Sequence, residues 1–179
     1  MPIFMLARGL LLAALAFVVA GCANTTGGAE AQGAAAAHAA SSADSLAQTR
    51  WELTHWTASD GSVRAVPHGD NGEPIQLTFL AQRDSNKYQY RVNGFSGCNR
   101  YMGSYKLQGG KLSISVPAST RMACPSPERS RLESDYLRAL ANIQTFTLDS
   151  GSAPRHLTFN VRGGDVLEFT RRQDPPTPQ

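Results

Sequence analysis

Three cysteines and four histidines are the residues of this 179-residue chain with the widest chemical repertoire. A thiol can be acylated, oxidised to a disulfide, bound to a metal or used as a nucleophile, and its neighbours decide which. Cys22 follows Val19-Ala20-Gly21, small residues that let an extended backbone enter a peptidase, and its thiol can then accept a diacylglyceryl group. Cys98 and Cys124 remain as an even pair. His38, His55, His68 and His156 fall in no metal-ligand spacing, so neither a structural metal nor a cofactor is expected.

The residues around Cys22 support the acylation reading. Met1 to Gly9 carries Arg8, and Leu10 to Ala20 is continuously apolar. That run is shorter than the about 20 residues a spanning helix needs, and suits the apolar region of a secretory signal. The segment resembles the bacterial lipobox, with Val19 where Leu is commoner. A signal is therefore expected over 1–21, with Cys22 the acylated first residue of the mature chain, and several acyl chains make a stable membrane anchor. Ala23 follows in place of the Asp that marks retention in the inner membrane. By that resemblance the chain is an outer-membrane lipoprotein facing the periplasm.

Residues 22–47 are rich in Ala, Gly and Ser and read as a flexible tether. Residues 173–179, with three Pro, read as a disordered tail. This leaves a folded domain over 48–172. Sixteen Gly and ten Pro argue against a helical bundle. A net charge of +3, from 17 Lys and Arg against 14 Asp and Glu, is too small to suggest nucleic-acid binding, and a monomer is expected.

The elements that must hold the cysteines are mostly strands. Apolar residues alternate at Trp51 and Leu53; at Ile75, Leu77, Phe79 and Ala81; at Tyr88, Tyr90 and Val92; and at Tyr105 and Leu107. They do so again at Leu112, Ile114 and Val116; at Leu157, Phe159 and Val161; and at Leu167 and Phe169. Gly109-Gly110 predicts a two-residue hairpin turn with Leu107 opposite Leu112 and Tyr105 opposite Ile114. Gly163-Gly164 does not suit a two-residue loop, which would face Phe159 with Glu168. A loop of three or five residues is expected, with Val161 opposite Leu167 and Phe159 opposite Phe169. Asp84-Ser85-Asn86 predicts a third hairpin. Leu132, Tyr136, Ala139, Leu140 and Ile143 follow a helical stripe. Ser126 is its N-cap, Pro127 its first position, Glu128 suits the positive dipole end, and Arg131 is placed to pair with Asp135. The helix is expected near 127–142, covering a curved antiparallel sheet in a single α+β domain.

In an oxidising compartment Cys98 and Cys124 read as a disulfide. One precedes and the other follows the Tyr105/Ile114 hairpin, and the cross-link stabilises by roughly 3–4 kcal/mol on the chain-entropy model. Two buried free thiols and a nucleophilic Cys98 are the alternatives, the last needing a base and an orienting group. Gly94, Gly97 and Gly103 are expected to shape turns or bulges rather than cradle a phosphate. Asn99 is expected to bond nearby loop backbone. Arg100 and Arg121 are read as a solvated pair or as partners of Glu128 and Glu133, with an anion patch the alternative. Trp51, Tyr88, Tyr90, Phe95 and Tyr101 are either core or the lining of an apolar pocket. Thr57 to Pro74 is a polar insertion, with a short strand suggested at Val63 to Val66.

The segment Gly97-Cys98-Asn99-Arg100-Tyr101, followed by Gly103 and Tyr105, precedes Thr120-Arg121-Met122-Ala123-Cys124 and then the helix. In order and spacing these resemble the META domain of HslJ-like heat-inducible bacterial lipoproteins, over about 48–171 and including the opening Trp51 and Leu53. The resemblance implies an incompletely closed β-barrel, a half-barrel with one helix over the gap. It implies no catalytic activity, and roles tied to stress and the envelope. The expected function is a non-catalytic lipid-anchored protein that binds an apolar ligand or an envelope protein. The alternatives are an inhibitor of a periplasmic or exogenous hydrolase, presenting Phe95 to Met102 or the 57–74 insertion, and a cysteine enzyme.

Overall fold

A computed structural model describes residues 45–85, 87–151 and 153–176. The expectations for the signal, Cys22, most of the tether, His38 and the last three residues of the tail lie outside the described residues. Eight strands form one antiparallel sheet: β1 Thr49–Thr57, β2 Gln76–Asp84, β3 Lys87–Phe95, β4 Arg100–Gln108, β5 Lys111–Ser119, β6 Ile143–Leu148, β7 His156–Val161 and β8 Val166–Arg171. The strand order is β5-β4-β3-β2-β1-β8-β7-β6. One helix, α1 Pro127–Ala141, stands between β5 and β6 in the chain. It thus links the two edges of the sheet, which curls until those edges approach each other. The result is a nearly closed eight-strand barrel with one α-helix among the described residues.

Turn chemistry sets most registers. Gly109 and Gly110 both have positive φ, 57° and 75°, the backbone of a two-residue turn that twists with its strands. Leu107 faces Leu112 and Tyr105 faces Ile114, as predicted. Asp84 faces Lys87 across the β2–β3 turn. The β7–β8 pairing is corrected by two residues: Phe159 faces Leu167 and Leu157 faces Phe169. Val161 N–H closes a three-residue loop on Asp165 O, one of the two lengths expected, but the loop is 162–164, one residue earlier than the expected pairing requires. A shift of two keeps every side chain on its face, so the alternation alone did not distinguish the two registers.

Two irregularities re-aim side chains. In β1, Leu53 pairs with Phe169 but His55 pairs with Glu168, so Thr54 is an extra residue. Trp56 therefore points inward with Trp51 and Leu53, against simple alternation, and all three are buried. The β4–β5 register shifts beside Gly103, where any Cβ would collide with the Ser115 carbonyl oxygen.

Helix α1 starts where predicted. Ser126 Oγ accepts from Arg129 N–H and Pro127 opens the helix. Leu132, Glu133, Tyr136, Ala139 and Leu140 form its buried face. The expected Arg131–Asp135 pair is replaced: Asp135 is held by Arg64 at 2.6 Å and Arg138 at 2.7 Å. Arg64 comes from the 57–74 insertion, and its guanidinium also lies 4.2 Å from the Trp56 ring centroid. A half-buried ion pair with a cation–π contact outweighs an exposed pair on one helix face. The short strand suggested at 63–66 reduces to one bridge, Thr57 to Val63.

The folded region begins earlier than residue 48. Leu46 is fully buried in the core, and Thr49 Oγ1 donates to its carbonyl at 2.6 Å while Trp51 Nε1 donates to Thr49 Oγ1 at 2.7 Å. Removing the Leu46 side chain strands a cavity under the first strand. Leu46→Ala is expected to lower unfolding free energy by about 3 kcal/mol, measured by urea denaturation of the mature chain, and a chain starting at residue 48 should lose at least as much.

Candidate functional site

Of the residues singled out by their types, Cys98 and Cys124 converge, with their motif neighbours, at one end of the barrel. Gly97 takes φ 97°, turning the chain out of β3 so that Cys98 and Asn99 face inward before β4 begins. The segment after β5 returns to the same place. Cys98 and Cys124 are joined in a disulfide with a Cα–Cα distance of 5.6 Å. This excludes free thiols as nucleophiles in this state.

Asn99 is the centre of the arrangement, and its partners are distant in sequence rather than local. Its Oδ1 accepts from Met122 N–H and from Thr120 Oγ1, both at 2.8 Å. Its Nδ2 donates to Met122 O at 3.2 Å and to Glu133 Oε2 at 3.0 Å. The amide thus pairs with Met122 as a neighbouring strand would, and also ties in the helix. Every hydrogen-bonding capacity of the side chain is used. Thr120 Oγ1 also accepts from Arg100 N–H at 3.0 Å, and Ser96 Oγ donates to Asn99 O at 2.7 Å.

Glu133, expected as an ion-pair partner of Arg100 or Arg121, is instead held by Asn99. Its carboxylate is buried, accepts from Asn99, and places Oε2 3.5 Å from Cys124 Sγ. Among the described residues no cationic side chain pairs with it. Its position three residues before Tyr136 and seven before Leu140, inside the apolar stripe, was the available signal. Arg100 does not pair with Glu128 or Glu133; it reaches Glu73 of the insertion at 2.7 Å. Arg121 and Met122 have exposed side chains. Arg129 donates to Gly97 O at 3.2 Å, another tie from helix to loop.

Beneath this layer Tyr101 OH donates to Gln76 O at 3.0 Å and lies 3.1 Å from Tyr136 OH. Burial pushes both hydroxyls well above the usual tyrosine range, and in Tyr101 the neighbouring Tyr136 adds to the rise. Both serve as neutral bonding groups. Gly94 admits the Tyr101 hydroxyl, since a Cβ there would collide with it and with Gln76 O. Tyr105 packs edge-on against Phe79. Of the residues that offered a pocket lining, Trp51, Phe95 and Tyr101 are buried, Tyr90 is half-buried and Tyr88 is exposed.

The histidines stay apart. His55 is exposed, His68 Nε2 lies 3.5 Å from Glu52, and His156 Nδ1 lies 3.1 Å from Asp149. A second polar cluster, at the helix's other end, joins Trp56 Nε1 to Asp165 Oδ2 at 2.9 Å and the Arg64–Asp135–Arg138 set. It borders an open cleft of about 260 Å³.

Two outcomes follow. Asn99→Ala leaves Met122 N–H, Thr120 and Glu133 without their partner, and is expected to cost about 2–4 kcal/mol, read by thermal or urea unfolding with the disulfide intact. Burial raises the Asp135 carboxyl, but the Arg64 hydrogen bond and the Arg64 and Arg138 charges outweigh it, leaving it below the ordinary carboxylate value. Its contribution is therefore complete above the unfolded-state value of about 3.9 and lost as pH falls through the lower folded value. Asp135→Asn should flatten the acid limb of a stability–pH curve and leave no difference in slope at neutral pH.

Known proteins share this arrangement's frame. Heat shock protein HslJ of Escherichia coli (strain K12) is 28% identical over 123 residues, 66% of this chain and 82% of that protein. An NMR structure of a protein from Burkholderia xenovorans is similar at 40% identity and a TM-score of 0.61, covering 73% of this chain and 86% of that one. The META domain family matches residues 44–174. That span takes in Leu46, the disulfide and every partner of Asn99, and the chain belongs to the META domain family.

Proposed function

We propose that this chain is a non-catalytic lipoprotein, anchored through Cys22 in the outer membrane, that faces the periplasm and works by surface recognition of another envelope protein. One observation carries the recognition half. The barrel interior is occupied by Trp51, Trp56, Phe79, Tyr136, Phe159 and Phe169, all essentially without solvent exposure. An apolar ligand held inside would have to displace these side chains, which makes the outer surface the better place for recognition. The polar groups of the motif are likewise engaged with one another, not aimed at a substrate position. The anchor and compartment rest on the sequence: a charged start, a short apolar run, small residues and Cys22. Its similarity to the Escherichia coli heat shock protein HslJ favours a stress-related role.

A second reading, an inhibitor of a hydrolase, draws on the insertion. Arg64 to Asp135, Arg100 to Glu73 and the Thr57–Val63 bridge fasten that loop to the barrel at several points. A fastened loop presents contacts with little ordering cost.

The full-length gene product, expressed in a bacterial envelope and purified from membranes, should begin at Cys22 and carry acyl mass, and Cys22→Ser should move it to the soluble periplasmic fraction. A different first residue without acyl mass would overturn the anchor. Native mass spectrometry of the Cys22→Ser chain should show no retained lipid; a stoichiometric lipid would overturn surface recognition in favour of internal binding. Nanomolar inhibition in a panel of lysozymes and proteases would move the function to the second reading.

A further inference from the structure

The disulfide sits between two different environments. Cys98 lines a small cleft of about 250 Å³ between Phe95, Met122 and Pro125, whose charged group, Asp70, lies 3.9 Å from the Arg129 guanidinium. On the other side, Glu133 Oε2 lies 3.5 Å from Cys124 Sγ. A disulfide sulfur carries no hydrogen, so this approach is not a hydrogen bond in the oxidised state. It becomes one when Cys124 is a thiol. Asn99 Nδ2, 3.4 Å from Cys98 Sγ, donates to Glu133 and fixes the carboxylate beside the sulfur pair.

A purely structural acceptor for Asn99 could be neutral. A carboxylate buried with no cation is costly, and its place against one sulfur of a pair suits proton transfer. We propose that Cys98–Cys124 is an exchangeable disulfide, with Cys98 the sulfur that takes up a low-molecular-weight thiol from the cleft and Glu133 the base for Cys124.

The chemistry balances without an outside redox partner beyond that thiol. In the opening direction the external thiolate attacks Cys98 Sγ, the Cys98–Cys124 bond breaks, and its electron pair goes to Cys124 Sγ, which takes up a proton. In the closing direction Glu133 accepts the proton of the Cys124 thiol as Cys124 Sγ attacks Cys98 Sγ. The bond from Cys98 to the small thiol then breaks, and that thiol leaves as a thiolate. Exchange depends on thiolate availability and on which sulfur is reached. Cys98 is buried and Cys124 half-buried, so it is the cleft and not overall exposure that selects the sulfur, and the carboxylate takes the proton.

The test uses the mature chain with its disulfide intact and reduced glutathione as the probe. Intact mass and peptide mapping under acid quench should place the mixed disulfide on Cys98, with Cys124 free. Closing is then followed after removal of excess glutathione, in wild type and in Glu133→Gln, which keeps an acceptor for Asn99. The variant should close on the order of 10²-fold more slowly near neutral pH, the low end of what a positioned general base contributes. Its rate should also rise more steeply with pH. Adduct on Cys124, no adduct at any thiol concentration short of unfolding, or equal closing rates and pH profiles in the two proteins would each overturn the proposal. Should Glu133→Gln fail to fold, the site of the adduct in the wild-type chain still decides.

Discussion

The two-way pairing between the Asn99 amide and the Met122 backbone is the constraint on which the rest of this molecule turns. A barrel closed by eight antiparallel strands needs its last edge brought to its first. Here β5 and β6 are those edges, and residues 120–142, most of them helix, run from one to the other. That path has to leave β5 in a defined direction, or α1 lands off the seam. Asn99 sets the direction by acting as one more strand residue for Met122, and by holding Glu133 it seats the first turns of the helix. Arg129 to Gly97 and Ser126 to Arg129 complete the start. Exposed sheet edges invite pairing with other chains, so placing the helix over the seam bears on solubility as well as shape.

The interior shows why polar groups are gathered at this end. Elsewhere the barrel is filled by aromatic and aliphatic side chains whose burial is favourable without geometric precision. At the end where β3, β4, the returning segment and α1 meet, backbone groups that leave the ladders still need partners. Side chains supply them: Ser96 bonds Asn99 O, Thr120 bonds Arg100 N–H, and Tyr101 bonds Gln76 O. Close approach of strands there leaves no room for a Cβ at Gly94 or Gly103. The residues that make the motif recognisable are therefore explained by closure of the barrel. Glu133 is the exception, because an acceptor without charge would serve closure equally well.

Legibility in the sequence divided along the same line. Alternation and glycine turns mark which face most strands bury, and the capped stripe from Ser126 to Leu140 defines the helix, because those signals are local; β6 shows no such signal, and its first residue, Ile143, reads as helix. What failed was non-local. The β7–β8 pairing slid by two because both registers bury Phe159 and Phe169. Trp56 is buried only through the extra residue at Thr54. Asp135 chose Arg64, distant in the chain, over Arg131 beside it. Leu46 lies among Ala and Ser and Asn99 lies in a loop, so neither the burial of the first nor the distant partners of the second leave a local signal. The disulfide was readable because Cys98 precedes and Cys124 follows the β4–β5 hairpin, which returns the chain to its starting point.

The disulfide and the Asn99 bonds join the same two segments, yet they are not duplicates. A cross-link acts mainly by restricting the unfolded chain, whereas the hydrogen bonds act only in the folded one. Opening the disulfide in the folded protein therefore leaves the segment at 120–124 still held by Asn99, through Thr120 Oγ1 and both backbone groups of Met122. The bond can open locally while the barrel and helix stay in place, and the freed sulfurs stay near each other. A chain whose fold depended on the disulfide alone would lose its geometry in the same step. The redundancy in the folded state is what makes a sulfur-exchange site compatible with a domain whose closure depends on this corner.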